Sequence, residues 1–317
     1  MNRAVPQLAM IIPCYNEEAG LPHVMETLEQ FLFLLKRDGV VQDNSFVLYV
    51  DDGSHDETWR IIEEGNARHQ SVHKGLKLAG NVGHQNALLA GMLEARNEVD
   101  CLITMDADLQ DDLNAIPGML KKFAEGCDIV YGVKNKRDSD SYFKRKTAGF
   151  FYKLMECIGV RIVPQHADCR LVSRIALDAL AQYGESNLFL RGIFPSMGFR
   201  SSTVSYAIKD RQYGESKYPL RRMISFAWQG ITSFSGKPLR LAGLFSLGAL
   251  LLAFLQSILA LLAWIRGETV TGWASLMIGM LFLGSVQLFC IALIGEYLAK
   301  IYNEVKRRPR YIVEKKL

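Results

Sequence analysis

Four aspartates stand within seven positions of one another in the sequence MDADLQDD, residues 105–112, at the end of the apolar run DCLITM. Alternate side chains of an extended segment point the same way, so Asp106, Asp108 and Gln110 share one face. Their oxygen atoms are the kind of ligand that Mg²⁺ or Mn²⁺ prefers, and either cation leaves positions for phosphate oxygens. The spacing therefore predicts a divalent-cation site beside a diphosphate, with both metals left open. Asp111 is out of phase with this face and is expected to matter less.

The acidic segment lies within an alternation of strand and helix patterns that fills the first 210 residues. The runs LAMIIP, SFVLYVD, HKGLKLAG, DCLITMD and DIVYGV predict strands. Apolar residues at helical spacing follow the first strand, and further helices are predicted at 56–64, 83–95 and 113–124. Such alternation favours right-handed crossovers and a mainly parallel sheet with helices on both faces. The predicted fold class is therefore α/β.

Polar clusters follow four of these strands. They are PCYNEE, DDGSHDET, GNVGHQN and DADLQDD. Each cluster by itself is also typical of a turn or a helix cap. Four of them at the carboxyl ends of one sheet favour a ligand-binding edge, because open α/β sheets bind ligands there.

Two uncharged segments near the C-terminus are long enough to cross a membrane. One lies between Arg240 and Arg266, the other between Glu268 and Glu296, and each exceeds the roughly 20 apolar residues of a membrane-spanning helix. Buried core helices are the alternative, but these rarely run so far without a charge on one face. Basic residues flank the outer ends of the pair. The positive-inside rule then predicts a multi-pass membrane protein with both termini in the cytoplasm.

The basic charge is concentrated in the last 22 residues. They carry seven Lys or Arg against three Glu, a surplus that equals the formal net charge of +4 for the whole chain. A basic patch beside a membrane span suits anionic lipid headgroups. No nucleic-acid-binding motif accompanies it, so nucleic acid is not an expected partner. The six cysteines form no CxxC pair, which disfavours a zinc site, and His84 and His166 are expected to be ordinary polar residues.

These patterns divide the chain into four parts. Residues 1–210 form the expected cytoplasmic catalytic domain, 240–296 the two transmembrane helices, and 297–317 a basic cytoplasmic tail. Between the domain and the spans, residues 211–239 mix aromatic and basic side chains. That mixture predicts interfacial helices at headgroup depth, with a core-packing helix as the alternative.

Seven motifs occur in a fixed order along the chain. They are IIPCYNEE, VDDGSHDET, NVGHQNALLAG, MDADLQDD, DCRLVSR, YGESKY and GEYLAKIYNEVKRRPRYIV. In this order they resemble the membrane-bound polyprenyl-phosphate glycosyltransferases of glycosyltransferase family 2, such as dolichyl-phosphate mannose synthase and bactoprenol glucosyltransferase. The resemblance covers essentially the whole chain and implies a GT-A fold. Two departures are Asp112, where relatives often have proline, and Cys169, where DFRL is usual.

The resemblance also implies roles for individual residues. The implied donor-binding residues are Pro13, Tyr15, Glu17, Asp51, Asp52, Asn81, Gly83 and Asp106. The implied metal ligands are Asp106, Asp108 and Gln110, and the implied catalytic residues are Asp108, Asp168, Arg211 and Lys217. Asp168 would lie near the acceptor, and the two basic residues would face phosphates. Arg137 and Arg145 are candidates for the acceptor phosphate, with a solvated or headgroup-facing basic surface as the alternative.

The implied reaction is a single displacement in which a polyprenyl phosphate attacks the anomeric carbon of a nucleotide sugar and inverts it. An anionic phosphate needs no strong general base, so catalysis would rest on positioning and on the divalent cation. Undecaprenyl phosphate at the inner (plasma) membrane is the expected acceptor for a bacterial source. Glucose from UDP-glucose is the first expectation for the sugar, followed by N-acetylglucosamine and mannose.

Three other functions are alternatives to this one. A processive polysaccharide synthase would need more spans and a Gln-x-x-Arg-Trp motif, and the sequence has neither. Transfer to an unphosphorylated lipid such as diacylglycerol would demand a general base. An inactive, membrane-anchored scaffold that binds sugar nucleotides remains open, although the intact acidic set argues against it.

An oligomeric state is also expected. Small residues on the two predicted spans allow close approach of helices, at Gly243, Gly248, Gly279 and Gly284. Together with the resemblance, these positions predict a homotetramer.

Overall fold

The computed structural model describes residues 3–134, 166–185, 189–206, 236–266 and 272–317. The chain forms two compact units. The first contains the described residues up to Tyr206 together with 308–317, and the second contains the two long C-terminal helices. The interfacial helices predicted at 211–239 fall almost entirely outside the described residues. Four predicted site residues also lie outside them: Arg137, Arg145, Arg211 and Lys217.

A mixed eight-stranded sheet forms the centre of the first unit. Its strands are β1 (Leu8–Cys14), β2 (Phe46–Asp51), β3 (His73–Leu78), β4 (Cys101–Thr104), β5 (Ile129–Lys134), β6 (His166–Ser173), β7 (Ser201–Tyr206) and β8 (Val313–Lys316). Their spatial order is β7-β5-β6-β4-β1-β2-β3-β8. The prediction of a mainly parallel sheet is confirmed. The pairs among β1 to β4 and the pair of β5 with β7 are parallel, while β6 and β8 run antiparallel to their neighbours.

The central strands β1, β2 and β4 are buried along their whole length. Strands that are covered by helices on both faces have continuous apolar sequences of this kind. β1 pairs in parallel with β2 on one side and with β4 on the other. The ends of these three strands therefore meet at one edge of the sheet.

Helices cover both faces of the sheet, which confirms the predicted α/β fold class. They are α1 (Leu21–Arg37), α2 (Thr58–Arg68), α3 (His84–Ala95), α4 (Ala115–Ala124), α5 (Arg174–Leu180) and α6 (Leu190–Ser196). Apolar residues of α1 and α4 form one core cluster with Leu8, Met10 and Ile12 of β1. On the opposite face α3 approaches β1 so closely that a Cβ atom on Gly91 would lie 2.5 Å from Cγ2 of Ile11.

Three strands of the sheet carry weaker sequence signals than the five predicted ones. β7 alternates exposed and half-buried residues along SSTVSY, and β8 has the charged sequence VEKK. Both occupy ends of the described sheet, where short polar or charged strands are common because they resist pairing with other chains. β6 contains the DCRL motif and inserts between β4 and β5.

The C-terminal residues belong to the sheet of the first unit. We expected one basic tail over 297–317, whereas the last helix continues to Lys306 and β8 pairs with β3 in antiparallel orientation. Lys77 Nζ lies 3.0 Å from Glu314 Oε1, and the Lys315 ammonium lies 2.6 Å from a Glu63 carboxylate oxygen. Part of the basic charge therefore pairs with acidic side chains of the domain.

The second unit consists of two long helices, α7 (Lys237–Ile265) and α8 (Trp273–Lys306). The stretches Leu239–Leu259 and Gly279–Lys306 are long and apolar enough to cross a membrane, with mean hydropathies of 2.0 and 1.8. Only 6% of each stretch is buried among the described residues, unlike a core helix of a soluble domain. Length and composition thus agree with the two predicted spans.

Candidate active site at the carboxyl edge of the sheet

The loops that follow β1 and β2 are joined by hydrogen bonds. The backbone N–H of Asn16 donates to Ser54 Oγ at 3.0 Å, and its side-chain oxygen accepts from the backbone N–H of His55 at 2.9 Å. The backbone N–H of Glu17 donates to Thr58 Oγ1 at 2.8 Å. Tyr15 is exposed beside this junction. The two predicted donor-binding loops, after β1 and after β2, are therefore fixed to each other.

The two aspartates at the end of β2, Asp51 and Asp52, accept hydrogen bonds from different loops. Asp51 accepts a hydrogen bond from the backbone N–H of Ser54 at 3.1 Å. Asp52 accepts from the backbone N–H groups of Val82 and Gly83 at 2.7 and 3.0 Å, which fixes the loop before α3. Burial raises the pKa of both carboxyl groups. Asp52 thus positions the Asn81–Gly83 loop. Pro13, another predicted donor-binding residue, is buried within β1.

The acidic loop, residues 105–112, begins where β4 ends. The backbone N–H of Met105 donates to Ile11 O at 3.1 Å, and Asp108 Oδ1 accepts from the backbone N–H of Gln110 at 3.2 Å. Leu109 has a left-handed backbone with φ of 48°, which turns the loop sharply. Asp108 lines a small cleft together with Glu17, so a predicted metal ligand and a predicted donor residue lie together.

Asp106 has the electrostatic surroundings of a cation ligand. Its side chain is 37% exposed, but its Oδ1 atom is buried and accepts no hydrogen bond within the described residues. Burial, together with the charges of Asp168, Asp111 and Asp108, raises the pKa of Asp106 to about 6, although nearby His84 opposes the shift. A bound cation would compensate this crowding of carboxylates. The residues present therefore fit a divalent cation.

Two candidate sets of metal ligands in this region share Asp106. The first is the predicted set of Asp106, Asp108 and Gln110. The second is His84, Asp106 and Asp168, whose ligand atoms all lie within 4.8 Å of one another. His84 is therefore more than the ordinary polar residue that we expected. Its Nε2 atom lies 3.4 Å from Asp106 Oδ1 and 3.6 Å from Asp168 Oδ2.

Asp168 is surrounded by cationic groups to which the sequence motifs assign no role. Arg170 Nη2 donates to Asp168 Oδ1 at 2.6 Å, and Arg191 donates through Nε at 3.2 Å to Oδ1 and through Nη2 at 2.9 Å to Oδ2. Burial would raise the pKa of Asp168, but its contacts with His84, Arg170 and Arg191 hold it well below its usual range. Asp168 is consequently a fixed anion and a poor proton acceptor.

The same contacts act on His84. Burial lowers its pKa, but the interactions with Asp168 and Asp106 outweigh this effect, so the net shift is upward. Two of these cationic groups lie in motifs of the sequence: Arg170 in DCRL and His84 in GNVGHQN. Arg191 is 23 residues from Asp168, in α6, and lies in none of the seven motifs.

The chain belongs to glycosyl transferase family 2. Residues 9–181 match the profile of that family, and residues 237–301 match a profile described as the GtrB C-terminal hairpin. The second match covers α7 and most of α8. The resemblance inferred from the motifs is thereby confirmed, and with it the assignment as a glycosyltransferase.

Relatives of the chain match it over almost their whole length. The uncharacterized glycosyltransferase YkoT of Bacillus subtilis is 46% identical over 317 residues, which cover 99% of this chain and 93% of the relative. The bactoprenol glucosyl transferase of Shigella phage SfII is 34% identical over 316 residues, which cover 98% of both chains. Among solved structures, glucosyl-3-phosphoglycerate synthase of Mycobacterium tuberculosis is similar with a TM-score of 0.47 at 16% identity, over 71% of this chain and 78% of that one.

Proposed function

We propose that the chain transfers glucose from UDP-glucose to undecaprenyl phosphate at the cytoplasmic face of the membrane. The observation that carries this proposal is the similarity, over 98% of both chains, to a protein named bactoprenol glucosyl transferase. Transfer of a sugar from a diphosphate to a phosphate requires groups that hold a cation and groups that bind phosphate. The carboxylates of the acidic loop would supply the first, and the arginines beside Asp168 the second.

The proposed reaction is a single displacement. An oxygen of the acceptor phosphate forms a bond to the anomeric carbon while the bond from that carbon to the diphosphate breaks, so the configuration inverts. The acceptor phosphate is already anionic near neutral pH, and the reaction therefore does not depend on a strong base. This agrees with the low pKa of Asp168, which keeps that carboxylate ionised and paired.

Asp106, Asp108 and Gln110 would hold the divalent cation, with Mg²⁺ and Mn²⁺ as equal candidates. When bound, it supplies positive charge that stabilises the departing diphosphate. The loops after β1 and β2 would hold the nucleotide through Tyr15, Glu17 and Asp51, since both loops lie at the same edge of the sheet as the acidic loop and Glu17 shares a cleft with Asp108. Asp52 would contribute by fixing the loop that precedes α3.

We further propose that α7 and α8 both cross the membrane and that both chain termini are cytoplasmic. The basic flanks of the two apolar stretches support this orientation. Reporter fusions at Met1 and Leu317 should both behave as cytoplasmic, and an extracytoplasmic signal from either would refute the topology. A homotetramer is the proposed assembly. Mass measurement in mild detergent that found only monomer at every concentration would exclude it.

The identity of the sugar is tested with a panel of donors. Membranes that contain the overexpressed chain are incubated with undecaprenyl phosphate and, separately, UDP-glucose, UDP-N-acetylglucosamine and GDP-mannose, and the lipid product is identified by mass. We expect a hexosyl product from UDP-glucose. A preference for either other donor would keep the reaction class and replace the sugar, whereas no lipid product from any donor would support an inactive scaffold.

A further inference from the structure

Two arginines and one histidine surround the carboxylate of Asp168. Arg170 and Arg191 both donate to the carboxylate, and His84 Nε2 lies 3.6 Å from its Oδ2 atom. Both guanidinium groups share this carboxylate, and His84 also faces Asp106. The two arginines lie at the ligand-binding edge of the sheet, where the hydroxyl of Thr104 at the end of β4 donates to the backbone oxygen of Asp168.

The two arginines differ in exposure. The side chain of Arg170 is 1% exposed, lies over the ring of Phe194 at 5.1 Å, and has an Nη1 atom without a hydrogen-bond acceptor among the described residues. The side chain of Arg191 is 41% exposed. Arg170 is therefore a buried support, whereas the guanidinium of Arg191 can be reached by a ligand. Since Asp168 holds it through two hydrogen bonds, Arg191 is also oriented before any ligand binds.

The order of the strands indicates which ligand reaches this cluster. The loops proposed to hold the nucleotide follow β1 and β2, on one side of β4, whereas Asp168 and Arg170 lie in β6 on the other side. An inverting displacement requires the attacking group to approach the anomeric carbon opposite to the departing diphosphate. The ligand on the β6 side is then the attacking group, and a negative charge on it would suit the exposed guanidinium of Arg191.

We infer that Arg191 binds the phosphate of the acceptor and that Asp168 and Arg170 position it. This inference rests on the proposed function for the identity of the acceptor. It assigns Asp168 a positioning role in place of a base, and it gives the acceptor site a residue within the described fold, independent of Arg137 and Arg145.

The test measures binding directly, with farnesyl phosphate as a soluble probe of the polyprenyl phosphate class. The full chain in detergent is titrated by calorimetry as wild type, Arg191→Gln and Arg191→Lys. Loss of one charge-assisted interaction should weaken farnesyl phosphate binding by roughly 10- to 100-fold in Arg191→Gln, with a smaller loss in Arg191→Lys. The affinity for UDP in the presence of Mn²⁺ should stay within about twofold, a split that a purely structural role would not produce.

Arg174→Gln is the matched control, because this exposed arginine follows β6 at the opposite edge of the sheet. It should bind farnesyl phosphate with the affinity of wild type. The affinity for farnesol, which lacks the phosphate, should be the same in wild type and in every variant. Unchanged farnesyl phosphate affinity in both Arg191 variants would overturn the inference, as would an equal loss of UDP affinity. If Arg191→Gln does not fold, Arg191→Lys decides alone. Arg191-dependent binding without glucose transfer by wild type would contradict the proposed function and leave the phosphate site standing.

Discussion

The hydroxyl of Tyr206 donates a hydrogen bond of 2.5 Å to Oδ1 of Asp111, and both side chains are buried. This contact joins the acidic loop to β7, at the far end of the sheet. The ring of Tyr206 passes over β5 at Gly132, where a Cβ atom would lie 2.8 Å from Tyr206 Cε1. Asp111 was expected to matter little because it is out of phase with Asp106 and Asp108. The structure instead makes it an anchor of the loop that carries them.

Tyr206→Phe tests this anchor. The change keeps the ring but removes the hydroxyl that donates to the buried carboxylate of Asp111. The free energy of unfolding should therefore fall by about 1.5–3 kcal/mol. For a domain of this size the melting temperature should fall by roughly 3–10 °C. Ser201→Ala, at an exposed position of the same strand, should leave the melting temperature nearly unchanged. Equal melting of Tyr206→Phe and wild type would remove the anchoring role.

Asp108→Asn tests the cation site. The substitution removes one charge with little change in shape, and turnover at saturating metal should fall by at least about 100-fold. Folding should survive, because the loss of one carboxylate relieves repulsion in the acidic loop. Asp112→Asn is a better control than Asp111→Asn, since Asp111 is held by Tyr206 of β7, whereas Asp112 accepts hydrogen bonds from Asn114, two residues further along the chain. Wild-type turnover in Asp108→Asn would contradict the metal assignment.

The raised pKa of Asp106 predicts a pH dependence of stability in the cation-free protein. An unfolded Asp has a pKa near 3.9, so the folded state holds the proton more tightly and loses stability as pH rises from about 4 to about 6. With a chelator present, Asp106→Asn should therefore melt at a higher temperature than wild type at pH 7.5 and not at pH 4. Mn²⁺ should then stabilise wild type more than the variant. Identical melting of the two proteins at pH 7.5 would refute the predicted cost of ionising Asp106.

The terminal strand β8 should contribute to stability through its backbone pairing more than through its charges. Ending the chain after Ile312 removes β8 and exposes the edge of β3, and the melting temperature should fall by several degrees. The double variant Lys315→Gln with Lys316→Gln keeps the strand and removes two exposed ion pairs, each worth about 0–1 kcal/mol. It should melt close to wild type. If the melting temperature fell further in the double variant than in the truncated chain, the ion pairs rather than the backbone pairing would account for the stability that β8 contributes.

The sequence predicted the parts of the fold that depend on local patterns. The apolar runs of β1, β2 and β4, and the polar clusters after them, follow from periodicity and from the topology of alternating strands and helices. The surroundings of Asp168 could not be predicted in this way, because Arg191 reaches it from a short helix and His84 from the first position of α3. The pairing of β8 with β3 brings together residues more than 230 positions apart, and its charged sequence is typical of an exposed tail.

The central claim is that the acceptor is a lipid phosphate and the transferred sugar is glucose. The most direct measurement incubates the detergent-solubilised full chain and Mn²⁺ with UDP-glucose and either undecaprenyl phosphate or undecaprenol, and follows UDP release and lipid mass together. We predict equimolar UDP and a lipid phosphate heavier by one hexose, with no product from undecaprenol. Transfer to undecaprenol at a comparable rate, or release of UDP without any glycosylated lipid, would contradict the claim.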